Sequence, residues 1–217
     1  MNQIRTFSKE LVIGWIVTQV FKITYCLFGW IIRLYFNVEC KVPREILELS
    51  KKRFLIVANH KSLIDPYLIF ATLPIKILLL LSPVRFFTAN IYLKYFWQQS
   101  LLIPFGCFRA YSDKKYKISG VKGGLELSDI GQSLFIFPQG KRVEDLRLIK
   151  PKIGIAYLIK HRDFTVIPVL IDCNKVLITK KTRIVWGKPF RINKTQKTKN
   201  LVELSQLIFD KVIQLSK

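Results

Sequence analysis

The hydrophobic pattern divides this chain into one long apolar segment and a series of short runs separated by charged stretches. Residues 11–36 are apolar almost throughout, with charges only at Lys22 and Arg33, and they carry Trp15, Tyr25, Trp30 and Tyr35. Farther on the pattern changes. Phe54–Ala58, Val84–Thr88, Leu101–Phe108, Ser133–Phe137 and Phe164–Asp172 are brief apolar runs bounded by polar or turn residues, as buried strands are. Pro104 and Gly106 interrupt the third of these, and Leu177–Val185 reads as a further strand pair or hairpin. Helical patterns lie between them: 66–73, closed by Pro74; the aromatic stretch 91–99; and 151–161. In 115–130, Ile118, Val121 and Leu125 recur at helical spacing despite Gly120, Gly123 and Gly124. Leu201, Leu204, Ile208, Val212 and Leu215 line one face of a C-terminal helix.

The remaining stretches are plainer. Residues 76–81 are too apolar for a solvent loop and are expected against the core or a membrane. Glu45–Arg53 reads as a charged connector or short helix, and Asn193–Asn200 as a basic loop. Strands alternating with helices predict an α/β fold, a mixed central sheet flanked by helices. The expected division is 1–40 for an N-terminal membrane-associating helical segment and 41–217 for the domain.

Length decides how the apolar segment can meet a membrane. As a helix, Leu11–Phe21 would be about 16 Å long, short of a hydrocarbon core of about 30 Å. A single helix from Leu11 to Ile32 would span, but would hold Lys22 at mid-membrane. Two short helices dipping into one leaflet, with Lys22 and Arg33 reaching the headgroups, avoid that cost and are the favoured arrangement. A single transmembrane anchor is the second reading, and a helix packed on the domain a third. No small-residue cleavage site follows the run, which argues against a cleaved signal peptide.

Composition narrows the partners. Lys and Arg total 36 against 14 Asp and Glu, a net charge of +22, so an anionic partner is expected. Half of the residues are hydrophobic, which favours an anionic lipid surface over nucleic acid, and no RNA-binding signature is present. With two His and four widely spaced Cys, neither a metal site nor a disulfide framework is indicated.

The chemistry concentrates where the Phe54–Ala58 run stops. Asn59 and His60 emerge at a strand end, where open α/β sheets place their sites, and Asp65-Pro66 reads as a helix N-cap followed by Pro at the first helical position. A carboxylate five residues after a His, across a tight turn, can hold one imidazole nitrogen and free the other to take a proton. A turn histidine beside a helix cap would look the same. The second concentration is Phe135-Ile136-Phe137-Pro138-Gln139-Gly140-Lys141-Arg142, a buried strand ending in a glycine turn that presents two cations. Exposed N–H groups beside cations suit a phosphate monoester.

Asn-His-x4-Asp after an apolar strand resembles the first signature of the glycerolipid acyltransferases, which include the 1-acylglycerol-3-phosphate acyltransferases. The turn at 138–142 is similar to that family's Phe-Pro-Glu-Gly-Thr-Arg block at Pro138, Gly140 and Arg142, but has Gln139 for Glu and Lys141 for Thr. Gly106-Cys107-Phe108-Arg109 and Val166-Ile167-Pro168-Val169 resemble two further blocks, and Lys152, Gly154 and Trp186-Gly187-Lys188-Pro189 also fit, in the family's order over residues 50–190.

The resemblance implies transfer of a fatty acyl group from acyl-CoA or acyl-carrier protein to the hydroxyl of 1-acylglycerol 3-phosphate, giving phosphatidic acid. It implies no metal or other cofactor, the acyl thioester being a substrate. His60 would be the general base and Asp65 its orienting partner, with Gln139, Gly140, Lys141, Arg142 and Arg109 on the acceptor side. The setting would be the cytoplasmic face of a membrane. Gln139 and Lys141 leave open a different lysolipid acceptor, or a basic membrane-binding homologue with an impaired site.

Overall fold

The structure is a computed structural model and describes every residue except 1, 51–52, 111–118, 144, 146–149, 174–181 and 217. Among the described residues, seven strands form one sheet: β1 (Val38–Lys41), β2 (Phe54–Ala58), β3 (Val84–Ala89), β4 (Cys107–Ala110), β5 (Ser133–Ile136), β6 (Thr165–Cys173) and β7 (Thr182–Trp186). Their order is β1-β7-β6-β2-β5-β3-β4. All neighbours run parallel except β6 and β7, which are antiparallel, so the sheet is mixed. β2 sits at the centre, hydrogen-bonded on one edge to β6 and on the other to β5.

Helices cover both faces, as a largely parallel sheet requires. They are α1 (Asn2–Tyr35), α2 (Arg44–Leu47), α3 (Asp65–Ala71), α4 (Ile75–Leu81), α5 (Phe96–Leu102), α6 (Ser119–Asp129), α7 (Gly154–His161), α8 (Lys194–Lys197) and α9 (Leu201–Ile213). The two-residue period of β2 sorts its side chains. Phe54, Ile56 and Ala58 pack with α1, α3 and α4, whereas Leu55 and Val57 pack with α6, α7 and α9. Leu204, Ile208 and Val212 of the C-terminal stripe are fully buried there.

The N-terminal segment corrects the favoured expectation. It is one continuous helix, not two short ones, and residues 8–35 are long and apolar enough to cross a bilayer. Yet α1 is fastened along the domain. Near its start, Glu10 meets Arg85, with Oε2 2.9 Å from Nη1, and the Glu10 carbonyl accepts from Gln132 Nε2 at 2.9 Å. At mid-length Val17 and Phe21 are buried, Phe21 stacking on Phe70 at 5.5 Å. Near its end Arg33 does not extend outward to headgroups. Its Nε donates to the Ala71 carbonyl at 2.5 Å, a free carbonyl at the end of α3, where a cation also opposes the helix dipole. From residue 10 to residue 33 the helix thus lies against the domain for about 35 Å, at 1.5 Å per residue.

Other departures have local causes. Residues 75–81 bury Ile77, Leu78 and Leu81 in the core, as expected of a run too apolar for solvent, and they do so as a helix; with Lys76 the single polar position, the run shows no period. The aromatic stretch 91–99 is not one helix, because Tyr95 is extended and divides a 3₁₀ turn, Asn90–Leu93, from α5. Residues 101–108 were expected as a strand, but α5 continues to Leu102 and β4 starts only at Cys107, after a turn through Gly106. Residues 193–200 contain the short helix α8, capped by the Asn193 side chain on the Gln196 N–H. Residues 115–118 and 177–181 of two expected elements lie outside the described residues.

Candidate active site

Strand pairing brings the two chemical stretches together. β2 and β5 are parallel neighbours, with Ile56 opposite Phe135 and Val57 opposite Ile136. Continued past the strand ends, that register sets His60 opposite Gln139, 79 residues away, and the His60 N–H donates to Gln139 Oε1 at 3.2 Å. The His60 ring stacks on Phe137, centroids 4.0 Å apart, and the His60 carbonyl accepts from the Val143 N–H at 2.8 Å. Imidazole and turn form one unit.

On the other flank, Asn59 ends the strand without chemistry of its own. Its side-chain amide, fully buried, exchanges two hydrogen bonds with the Ile171 backbone of β6, at 2.8 and 2.7 Å. This pins the position immediately before His60.

Asp65 is completely buried, and its Oδ2 lies 2.8 Å from His60 Nδ1. The same oxygen accepts the Lys61 and Ser62 N–H groups at 2.7 and 2.8 Å. An oxygen that accepts two backbone N–H groups is an acceptor for Nδ1 as well, which makes Nδ1 the donor and turns Nε2 to the other side of the ring. Asp65 is not the cap that the sequence suggested. Ile64 occupies the N-cap position with no side-chain hydrogen bond, and Asp65 turns back into its own loop.

Gly140, Lys141 and Arg142 share the wall of one cavity with His60, a space of about 970 Å³. Away from the polar end its lining is apolar: Phe21, Tyr25 and Ile32 from α1, Phe70 from α3, Phe86 from β3 and Phe105. Tyr67 and Cys107 also face it, and burial raises both the phenol and the thiol, so each is neutral near pH 7.

Gly140 adopts φ +67°, and Lys152 lies across it, its Nζ 2.5 Å from where a β-carbon would stand. The Lys152 N–H also donates to the Pro138 carbonyl at 2.8 Å. Lys152 therefore adds a third cation to the turn, one the sequence placed only in a matching run. Gln139 is turned inward and buried beneath the His60 backbone, with its Nε2 lacking a partner among the described residues. Arg109 stands apart at the end of β4, outside the cavity lining, where its Nη2 donates to the Leu93 carbonyl at 2.9 Å. Phe137, the platform under the imidazole, was read only as a strand residue; its place in register two residues before Gln139 was the available signal.

The family model described as Acyltransferase matches residues 27–172, well over half of the chain, so the chain belongs to that family. It is similar to a Saccharomyces cerevisiae protein named 1-acyl-sn-glycerol-3-phosphate acyltransferase, with 26% identity over 171 residues, 73% of this chain and 51% of that protein. The chain thus spans about half the length of that curated relative. Its fold also resembles the crystal structure of the 1-acyl-sn-glycerophosphate acyltransferase PlsC from Thermotoga maritima. There the TM-score is 0.56 at 16% identity, covering 100% of this chain and 98% of the other.

Proposed function

We propose that this protein moves a fatty acyl group from acyl-CoA or acyl-carrier protein to the hydroxyl of a lysophospholipid, with 1-acylglycerol 3-phosphate as the favoured acceptor and phosphatidic acid as product. The observation that carries the reading is the His60–Asp65 pair opening onto an apolar cavity whose polar end holds Gly140, Lys141 and Arg142.

His60 Nε2 takes the proton of the acceptor hydroxyl as its oxygen attacks the thioester carbonyl. Asp65 keeps Nδ1–H oriented and stabilises the imidazolium that forms. The tetrahedral intermediate then expels the thiolate, which takes the proton back from His60, so no acyl-enzyme is required. Backbone N–H groups near Gly140, or the Lys141 ammonium, steady the developing oxyanion. Arg142 holds the acceptor's phosphate, while Arg109, held at Leu93, acts only if the acceptor reaches past the cavity rim.

The apolar length of the cavity supports an acyl chain as the group that fills it, and α1, docked along the domain, supports a protein lying in one leaflet of an anionic membrane at its cytoplasmic face. Lys141 and Gln139 differ from the family's block, and an acceptor with another headgroup remains the second reading on that account. Labelled acyl-CoA offered with a panel of lysolipid acceptors tests the proposal. Phosphatidic acid formation that disappears in His60→Ala supports it; hydrolysis alone, or no turnover on any lysolipid, overturns it.

A further inference from the structure

The cavity has a second exposed apolar bank besides α1. The segment 91–102 contributes Ile91, Tyr92 and Leu102 to the cavity wall, buries Leu93, and leaves most of its large side chains in solvent. Phe96 is 84% exposed, Ile91 70% and Trp97 65%, with Tyr95 and Leu101 more than half exposed beside them. This is not a loose loop. Leu93 is buried, its carbonyl accepts from both Arg109 Nη2 at 2.9 Å and Gln99 Nε2 at 3.2 Å, and α5 starts with a capping arrangement at Tyr95. The protein therefore holds an aromatic surface rigidly in water, where it gains nothing by being held.

We infer that segment 91–102 is a second membrane-contacting element, which enters an anionic bilayer beside the cavity mouth together with the outer face of α1. Three observations favour lipid as the occupant. The surface is continuous with α1 through the cavity, whose wall includes Tyr25 and Ile32 on the α1 side and Ile91 and Tyr92 on this one. Its composition, Tyr and Trp with Phe and Leu, is that of side chains that settle at the boundary of headgroups and acyl chains. Its one cation, Lys94, stands 5.2 Å over the Tyr95 ring, placing charge at the edge of the aromatic patch, and the whole chain carries +22. With both banks in the leaflet, a lipid passes from bilayer to cavity without crossing water.

The inference is tested on the full chain with vesicles of phosphatidylcholine and phosphatidylglycerol, part of the phosphatidylcholine carrying brominated acyl chains. The contribution of Trp97 is isolated by comparing the protein with Trp97→Phe. Quenching of that share by bromine is expected, and Phe96→Asp with Trp97→Asp should weaken vesicle binding roughly 10-fold or more for each aromatic withdrawn from the bilayer. Unquenched Trp97 emission, while the remaining tryptophans are quenched, overturns the inference and leaves α1 as the sole contact. So does a self-associated species that dissolves in Phe96→Asp while vesicle binding stays unchanged, which would make the face a contact between copies. Should the aspartate variants unfold, Trp97→Phe still reads the insertion. Binding is measured without turnover, so failure here leaves the acyl-transfer proposal standing, and failure of that proposal leaves this one standing.

Discussion

Asp65 holds His60 with the same carboxylate oxygen that ties down the loop between them, while its other oxygen is buried with no partner among the described residues. Orientation of the imidazole and closure of the turn are thus one interaction. Asp65→Asn keeps the shape but puts an amide N–H₂ where either the loop needs an acceptor or nothing is present to accept. It should lower kcat by about 10²- to 10⁴-fold, near the share that a positioned base supplies, and also lower Tm. His60→Ala should abolish transfer and lower Tm modestly, since the imidazole, 18% exposed, stacks on Phe137 and pairs with the buried Asp65. Full transfer by His60→Ala, in steady-state assays with circular dichroism as the folding control, would remove the mechanism.

Arg142→Ala should raise KM for 1-acylglycerol 3-phosphate far more than KM for the acyl donor. Loss of one charge-assisted contact is worth about 1.5–3 kcal/mol, or roughly 10- to 150-fold. Lys141 lines the same wall and covers part of that loss, so the double variant should exceed either single one. An acceptor KM unmoved by both changes would show that the anion binds elsewhere.

Gly140→Ala asks an L-residue to adopt a left-handed backbone, at about 1–2 kcal/mol, and displaces the Lys152 ammonium as well. Denaturant unfolding should show that loss. Lys152→Ala in the same background should recover part of the stability by clearing the space, and a double-mutant cycle reads this coupling. Additive effects would mean that the lysine swings aside freely.

The acid limb of stability has an identifiable contributor on the surface. Arg162 donates to both oxygens of Asp129, at 2.7 and 2.8 Å, and these hydrogen bonds hold the carboxyl below its usual range. A depressed folded-state pKa adds stability above the ordinary value of 3.8, lost as pH falls through the lower folded value. The pair is more than one-third exposed, so its effect is small and screened by salt. Asp129→Asn should therefore lower Tm slightly at pH 7, not at all near pH 2, and less in high salt.

How far the sequence was legible depended on whether a signal was local. Phe54–Ala58 could be read because five apolar residues end abruptly at Asn59, and the His60–Asp65 pair because five positions fit one turn. Pairing across the sheet was not local. That Gln139 would point inward to the His60 N–H follows only from the β2–β5 register, which no single stretch encodes. Arg33 misled for a similar reason. A cation on an apolar helix reads as a residue reaching for headgroups, but its partner is the Ala71 carbonyl, 38 residues on. The run 76–81 does lie against the core, as its apolarity indicates, but with Lys76 its single polar position no period marks it as a helix.

The way α1 is fastened bears on any attempt to obtain this protein without detergent. Cutting the chain after Tyr35 exchanges one greasy surface for another, because Phe70 and Phe86 lose the Phe21 ring packed against them. It also strands the Arg85 guanidinium, almost fully buried, without the Glu10 carboxylate, and it removes one wall of the cavity. The productive route to a water-soluble form leaves the helix in place and rewrites its outward stripe, with Trp15, Leu27, Trp30 and Leu34, all more than half exposed, changed to Glu, Lys or Gln.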